Sequence, residues 1–229
     1  MLDYFSHAAW ELAVNLSEMG ALGGRGWYWR MHWALARAYR RDGVRHVLDR
    51  EAETTGLSRD QLVYGETPAR SMLAIMAHAG VSPSDVLIDL GCGRGLAVLS
   101  AALEWPIEAL GIDAIPTFVE RGNEISQWLG VGDRVRFVQG NFLDCDLSRG
   151  TLFYAAATTY ERELLDEVAA RVAQQAKNAP RPVRFVTLSQ TLLPPWKVVG
   201  KAFYPMTWGR NSVYFHSLDS SDARSSSSA

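Results

Sequence analysis

Cysteine is scarce in this sequence, which contains only two in 229 residues. Cys92 and Cys145 are too few for a disulfide framework or a cysteine metal site, and they predict a reducing, cytoplasmic setting without a bound metal. The N-terminus has no basic segment followed by a long apolar one, as a signal peptide would, and no stretch approaches 18 uninterrupted apolar residues. We therefore expect a soluble intracellular protein with no transmembrane segment.

A strong net charge is also missing, since the formal net charge is −2. The molecule as a whole should attract neither nucleic acid nor an anionic membrane, although local patches can still do so. One such patch is residues 25–50, where seven arginines stand against Asp42 and Asp49. This tryptophan-containing segment fits either an arginine-rimmed helical cap on the rest of the chain or a contact surface for an acidic partner, a nucleic acid or a membrane. The cap is the favoured interpretation.

The most informative stretch is Val86–Leu99, where a short apolar run breaks at Gly91, Gly93 and Gly95 and then continues as an apolar helical pattern. It predicts a strand, a tight turn and a helix, in which the glycines allow positive φ and the helix amides can donate to a ligand. The G-x-G-x-G spacing is one residue shorter than the dinucleotide motif. Asp89 precedes it, and a carboxylate there would repel a pyrophosphate and suit a cationic ligand.

Strand and helix patterns alternate along the following chain. We predict strands at 86–90, 107–112, 134–139, 151–155 and 183–188, and helices at about 95–104, 116–129 and 161–177. Because the alternation repeats and the strands have a continuous apolar character, they predict a parallel sheet covered on both faces. An antiparallel pair at about 198–204 and 211–217 completes the sheet.

The N-terminal part is predicted to be helical, at about 3–19, 27–41, 44–54 and 68–78. We interpret residues 1–60 as a helical cap or lid and residues 220–229, which are rich in serine, as a disordered tail. Large aromatic residues, including Trp29 and Trp33, lie on more than one side of the second helix, which predicts that it is covered on more than one side.

Residues at the carboxyl ends of the strands are candidate ligand contacts, because ligands of open α/β sheets bind there. Asp113 closes the second strand, where its carboxylate can accept both hydroxyls of a ribose; the alternative is a cap on the next helix. After the third strand, Asn141 can hydrogen-bond an adenine edge and Phe142 can offer an apolar face to the ring. Asp144 is a weaker candidate.

The glycine turn with its preceding Asp89 resembles motif I of the class I S-adenosylmethionine-dependent methyltransferases. A more specific resemblance, over about residues 60–219, is to the disruptor-of-telomeric-silencing histone-lysine methyltransferases. Its blocks are Val63–Pro68, Asp89–Gly95, Gly140–Leu143 and Thr207–Asp219. The resemblance implies a Rossmann-like α/β domain over 61–219, with a seven-stranded, mostly parallel sheet whose last strand is antiparallel.

The resemblance also implies S-adenosyl-L-methionine as the cofactor. The predicted cofactor-binding residues are Tyr64, Gly65, Glu66, Thr67, Asp89, Gly91, Cys92, Gly93, Gly95, Leu96, Asp113, Asn141 and Phe142. In the family, the Tyr-Gly-Glu-Thr block lies over the methionine end of the cofactor, which would let Glu66 pair with the ammonium. Without the resemblance, this block would be interpreted as a helix-entry loop with Thr67 as the N-cap.

The sequence departs from this family after the fourth strand. Residues 155–160 read Ala-Ala-Ala-Thr-Thr-Tyr, where the family has two asparagines and an aromatic residue that position the lysine amine. Alanine cannot accept a hydrogen bond from an amine. The lysine-rich DNA-binding tail of the family has no counterpart, since the chain has only three lysines. Tyr160 is predicted to be a substrate-orienting hydroxyl and Thr159 a second catalytic candidate, whereas His216 fits a structural histidine better than a base.

Three functions remain open from the sequence. The leading prediction is a methyltransferase that N-methylates a lysine of a protein substrate. The loss of the asparagines favours a small-molecule methyltransferase in which the tryptophan-rich helices form a substrate lid. The third possibility is a non-catalytic, cofactor-binding scaffold that docks through the basic segment.

Overall fold

The computed structural model describes residues 2–55, 65–158, 160–176 and 181–218. The helices are α1 (Leu2–Leu22), α2 (Gly26–Ala38), α3 (Val44–Thr55), α4 (Ala69–His78), α5 (Leu96–Glu104), α6 (Pro116–Leu129) and α7 (Arg162–Gln175). The strands are β1 (Val86–Leu90), β2 (Glu108–Asp113), β3 (Val135–Gln139), β4 (Leu152–Ala155), β5 (Val183–Leu188), β6 (Lys197–Met206) and β7 (Gly209–Leu218). The predicted tail at 220–229 and the predicted boundary between residues 60 and 61 lie outside the described residues.

The predicted elements are present, with ends that differ by at most three residues from those observed. The largest differences are in α1 and α2. Helix α1 continues through Gly20 to Leu22, because a single glycine inside a helix costs only about 1 kcal/mol and Leu22 is buried in the core. Helix α2 ends at Ala38, three residues before the predicted end.

The strands form one sheet in the order β3-β2-β1-β4-β5-β7-β6. Neighbours from β3 to β5 are parallel, and β7 is antiparallel to both β5 and β6. Six strands therefore share one direction. This arrangement confirms the predicted seven-stranded, mostly parallel sheet with an antiparallel last strand.

Both faces of the sheet are covered, which explains why its central strands carry apolar residues on both faces. Successive residues of a strand point to opposite faces. Leu87 packs into the core on the face that carries α4, α5 and α6. Ile88 and Leu90 pack into the core on the other face, against α7.

The N-terminal helices add to the first of these cores, to which α2 contributes Met31 and Leu35. The indole N–H of Trp10 in α1 donates to the Met206 carbonyl oxygen at 2.8 Å, which ties α1 to the β6–β7 hairpin. The prediction that α2 is covered on more than one side is wrong. Trp29 and Trp33 are 48% and 53% exposed, because they lie on the face of α2 opposite the core.

Candidate cofactor-binding site

A cavity of about 760 Å³ lies where the carboxyl ends of β1, β2, β3 and β4 meet. The strand register places these ends level, with Leu90 beside Ile112 and Ala155, and Asp113 beside Gln139. The predicted residues that line it are Gly65, Glu66, Thr67, Asp89, Gly91, Cys92, Gly93, Leu96, Asp113, Asn141, Phe142 and Tyr160. Gly95 lies just beyond, as the N-cap of α5. Tyr64 and Thr159 lie outside the described residues.

The three glycines form the turn from β1 into α5, and all have positive φ: 81° at Gly91, 54° at Gly93 and 82° at Gly95. The space around the turn also restricts which residues can stand there. A Cβ atom on Gly91 would overlap the Tyr160 hydroxyl oxygen, and one on Gly95 would overlap the ring of Phe137. The turn therefore requires glycine at both positions, as the spacing predicted.

The Asp113 carboxylate closes this turn from the side. Its Oδ2 accepts from the Gly93 N–H at 2.7 Å, and its Oδ1 accepts from the Ile115 N–H at 2.9 Å. Ile115 is the N-cap of α6, and the Thr117 N–H in the first turn of that helix donates to Glu51 Oε2 at 3.2 Å, so the cap comes from Glu51 and not from Asp113. Burial raises the pKa of Asp113 despite the backbone hydrogen bonds that its carboxylate accepts. Each carboxylate oxygen has a further lone pair that can accept a hydroxyl.

Carboxyl groups are the ionisable acidic side chains of the cavity wall. Four carboxylates line it, those of Glu66, Asp89, Asp113 and Glu161, and no lysine or arginine stands among the described lining residues. Burial and the neighbouring Asp113 charge raise the pKa of Asp89 to about 8. The ionised carboxylates would repel a pyrophosphate here and attract a cationic nucleoside. The donor set thus fits a ligand such as S-adenosylmethionine.

Glu66 has a partner that the sequence analysis missed. Arg94 lies inside the glycine turn; its Nε donates to Glu66 Oε1 at 2.8 Å, and its Nη2 donates to Glu66 Oε2. The Arg94 guanidinium also lies 5.3 Å from the ring centre of Tyr39, at the end of α2. This bidentate pair uses the Glu66 carboxylate, so the predicted pairing of Glu66 with a cofactor ammonium stays a prediction.

Asn141 and Phe142 follow β3 at the other end of the cavity. The Asn141 Oδ1 accepts from the Leu143 N–H at 3.0 Å, which fixes the loop and leaves adenine recognition to the amide nitrogen. The Phe142 ring stacks on the Tyr160 ring, with centroids 5.7 Å apart. The adenine contacts predicted for these two residues stay predictions.

Tyr160 supports the glycine turn in this structure. Its hydroxyl donates to the Leu90 carbonyl oxygen at 2.7 Å, at the end of β1. Burial, together with the nearby carboxylates of Asp113 and Asp89, raises the pKa of Tyr160 well above its usual range. Because the hydroxyl proton is used within the protein, the geometry favours a supporting role; the predicted substrate-orienting role stays a prediction.

Tyr154 contributes to the site but was not singled out in the sequence. The Thr67 hydroxyl lies 2.5 Å from the Tyr154 hydroxyl, so the loop before α4 is joined to β4. A tyrosine in an otherwise apolar strand was a signal that a buried partner was needed. A Cβ atom on Gly65 would overlap the Trp208 ring, which brings the first and last blocks of the resemblance together.

His216 has a structural role. Its Nε2 accepts from the Leu192 N–H at 3.1 Å, so Nδ1 of the neutral ring carries the proton and donates to the Phe185 carbonyl oxygen at 3.0 Å. Burial lowers its pKa, which keeps the ring neutral. His216 does not line the cavity.

Comparison with known proteins agrees with this geometry. Residues 57–149 match the family model "Histone methylation protein DOT1". A protein-lysine N-methyltransferase of Saccharolobus islandicus is 29% identical over 103 residues, which are 44% of this chain and 64% of that protein. A geranyl diphosphate 2-C-methyltransferase of Streptomyces lasalocidi is 34% identical over 79 residues, which are 34% of this chain and 26% of that protein. The chain therefore spans less than two thirds of the length of either relative.

Solved structures support the fold. An RNA methyltransferase from Salinibacter ruber, in complex with S-adenosyl-L-homocysteine, superposes with a TM-score of 0.56 at 22% identity, covering 67% of this chain and 93% of that one. The family match, the strand order and the carboxylate-flanked glycine turn together relate this chain to the DOT1 proteins and give it the fold of the class I S-adenosylmethionine-dependent methyltransferases.

Proposed function

We propose that this chain transfers a methyl group from S-adenosylmethionine to an amine, and that the amine is a lysine of a protein. The observation that carries the proposal is the cavity wall, where every charged side chain among the described lining residues is a carboxylate. Such a wall attracts an ammonium and repels a phosphate. The match to the DOT1 family model and the similarity to a protein-lysine methyltransferase support the same acceptor.

The cofactor would lie along the glycine turn, and different carboxylates would bind different parts of it. Asp113 would accept the ribose hydroxyls, and Asn141 and Phe142 would contact the adenine. We assign the cofactor ammonium to the neighbourhood of Asp89, because the Glu66 carboxylate already holds Arg94. Residues 61–219 would form the methyltransferase domain and residues 1–60 its cap, as predicted.

The binding of the cofactor should be coupled to a proton. With a pKa of about 8, most Asp89 carboxyl groups are protonated at pH 7 in the free protein, and a cation beside them favours the ionised form. Binding at pH 7 should therefore release up to one proton, and affinity should weaken by up to about tenfold per pH unit below the pKa of free Asp89. Titration calorimetry in two buffers of different ionisation enthalpy measures this release. It should vanish in Asp89→Asn, and a pH-independent affinity in the unaltered protein would contradict the assignment.

The cofactor supplies an electrophilic methyl group, so the protein has mainly to align the acceptor and exclude water. Ala156 and Thr158 follow β4 and line the cavity where the acceptor would enter. Glu161 lies next to them and is exposed, so it can attract a lysine ammonium while solvent takes the proton that the amine must lose.

Glu161→Gln should raise KM for an amine acceptor by about fivefold, since a solvent-exposed ion pair is worth on the order of 1 kcal/mol. The affinity for the cofactor should not change. Glu163→Gln is the matched control, because Glu163 is also exposed in the first turn of α7 but does not line the cavity. Steady-state kinetics with a lysine-containing substrate measure the difference, and equal KM values for the two variants would contradict the role of Glu161.

A small-molecule acceptor is the second candidate, and the alanines at 155–157 are the observation that favours it. Its predicted tryptophan lid is not supported, because no tryptophan stands among the described lining residues. An anionic acceptor such as a prenyl diphosphate would meet four carboxylates. A neutral molecule is the form of this candidate that the cavity can accommodate.

Transfer from a radiolabelled methyl donor separates these functions. We expect label in protein when the enzyme is incubated with a cell extract, and at lysine after hydrolysis. Label only in a small extractable product would support the second candidate, and label in RNA would contradict both. Cofactor binding without any transfer would support the scaffold.

A further inference from the structure

We propose a peripheral membrane-docking surface on the outer side of the N-terminal helices, for a membrane with anionic lipids. This tryptophan face consists of six large apolar side chains, each close to half exposed or more: Leu12, Leu16, Met19, Trp29, Trp33 and Trp128. Trp29 and Trp33 belong to the basic segment at residues 25–50, and the proposed methyltransferase function gives them no role. None of these side chains lines the cavity.

The tryptophans form one surface. Trp33 of α2 packs against Trp128 of α6, with ring centroids 5.0 Å apart and ring planes inclined by 32°. Trp29 lies one turn earlier on α2 and lines the same shallow depression. Its indole N–H donates to the Gly23 carbonyl oxygen at 2.7 Å, so it reaches the C-terminal end of α1.

The aliphatic part of the face lies on α1. Leu12, Leu16 and Met19 are spaced four and three residues apart, which places them in one stripe along the helix. The buried side of α1 carries Val14 and Leu22 instead. The C-terminal end of α1, where Met19 lies, is held beside Trp29 by the hydrogen bond from the Trp29 indole to the Gly23 carbonyl oxygen.

Arginine side chains lie beside the tryptophans. The Arg30 guanidinium lies 5.6 Å from the ring centre of Trp128, and that of Arg37 lies 5.6 Å from the ring centre of Trp33. Arg40 and Arg41 follow on the exposed side of the same segment. Arginines around an apolar face complement the negative surface of a bilayer that contains anionic lipid.

A membrane fits this face better than a nucleic acid. Bases bind single-strand-binding proteins by stacking on exposed aromatic faces, and here arginine side chains lie over the rings of Trp33 and Trp128. A nucleic acid would also leave the leucines of α1 in water. Tryptophan is enriched where apolar and polar phases meet, and leucines can enter the acyl boundary. No helix within the described ranges is long and apolar enough to cross a bilayer, so the contact would be peripheral.

The face is remote from the cavity. Phe118, near the start of α6, lines the cavity and lies 6.2 Å from the ring of Tyr39 at the end of α2. Trp128 is ten residues further along α6, which is about 15 Å at 1.5 Å per residue. Substitutions in the face should leave cofactor affinity unchanged, which provides the test of folding.

Co-sedimentation of the full chain with vesicles tests the proposal. We expect binding to phosphatidylcholine vesicles that contain phosphatidylglycerol, weaker binding to pure phosphatidylcholine, and a decrease at high salt. Trp33→Ser should weaken binding about tenfold or more, because an exposed indole would no longer enter the interface, and Arg37→Gln should weaken it several-fold. Val199→Ser is the control, since Val199 is an exposed apolar residue on β6 and lies outside the face.

Other outcomes would overturn the proposal. Failure to bind anionic vesicles, or equal binding by Trp33→Ser and Val199→Ser, would exclude membrane docking through this face. So would a dimer in lipid-free solution that Trp33→Ser dissociates, since the face would then be covered by a second copy. Binding to a single-stranded oligonucleotide that depends on Trp33, without vesicle binding, would assign the surface to nucleic acid instead.

Discussion

Asp113→Ala is expected to weaken binding of S-adenosylhomocysteine by about 100-fold. The proposed pair of charge-assisted hydrogen bonds to the ribose is worth about 3 kcal/mol in total, and about 1.4 kcal/mol corresponds to a factor of ten. Titration calorimetry measures the loss. The control is Asp133→Ala, which removes the same charge from an exposed side chain that does not line the cavity.

A second measurement separates the ribose contact from the support that Asp113 gives to Gly93 and Ile115. The unaltered protein should bind adenosine more tightly than 2′,3′-dideoxyadenosine, and Asp113→Ala should bind both with equal affinity. If the variant kept the preference, the sugar would be recognised by other residues, and the role of Asp113 would be confined to closing the turn.

Gly91→Ala is expected to lower the free energy of unfolding by about 3 kcal/mol. The positive φ of Gly91 costs an L-residue about 1–2 kcal/mol, and overlap of the new methyl group with the Tyr160 hydroxyl adds about 1–3 kcal/mol. Urea unfolding of both proteins measures the difference. Cofactor affinity should also fall, since the turn and Tyr160 must separate.

Two further variants divide this cost into its parts. Gly130 has φ 77° with no atom within 4 Å of a Cβ, so Gly130→Ala should cost only about 1 kcal/mol of backbone strain. Tyr160→Phe removes the overlapping oxygen, and its effect should be non-additive with Gly91→Ala by at least about 1 kcal/mol. Additive effects would mean that Gly91 and Tyr160 do not meet as described.

Much of the fold could be predicted because its signals are local. The apolar run at 86–90 and the helical pattern after it specify a strand and a helix within a few residues. A parallel sheet then follows, because short connections and continuous apolar strands permit few other arrangements. Helix ends were less certain, since tertiary packing rather than local propensity keeps Leu22 in α1.

Site residues could be predicted from the sequence where they follow directly from the order and direction of the strands. Asp89 and Asp113 stand at the ends of adjacent parallel strands, so their meeting follows from the topology. The pairing of Glu66 with Arg94 and of Tyr160 with Leu90 joins segments 28 and 70 residues apart. Such partners depend on side-chain directions in the folded protein, and a single sequence does not specify them.

The exposure of Trp29 and Trp33 was mispredicted for a related reason. Large aromatic residues around a helix indicate that several of its sides are unfavourable to expose to water. They do not indicate which part of the protein, or which partner, covers each side. The described residues cover the side of α2 that carries Met31 and leave the tryptophan side open. Docking on a membrane, as proposed above, would supply the missing cover.

The central claim is that the carboxylate-flanked glycine turn holds S-adenosylmethionine, with Asp113 on its sugar. A crystal structure with S-adenosylhomocysteine tests it most directly. We expect both ribose hydroxyls within hydrogen-bond distance of the Asp113 carboxylate, and the amino group on the side of Asp89. A nucleoside bound elsewhere, or a phosphate group held by the turn, would contradict the claim.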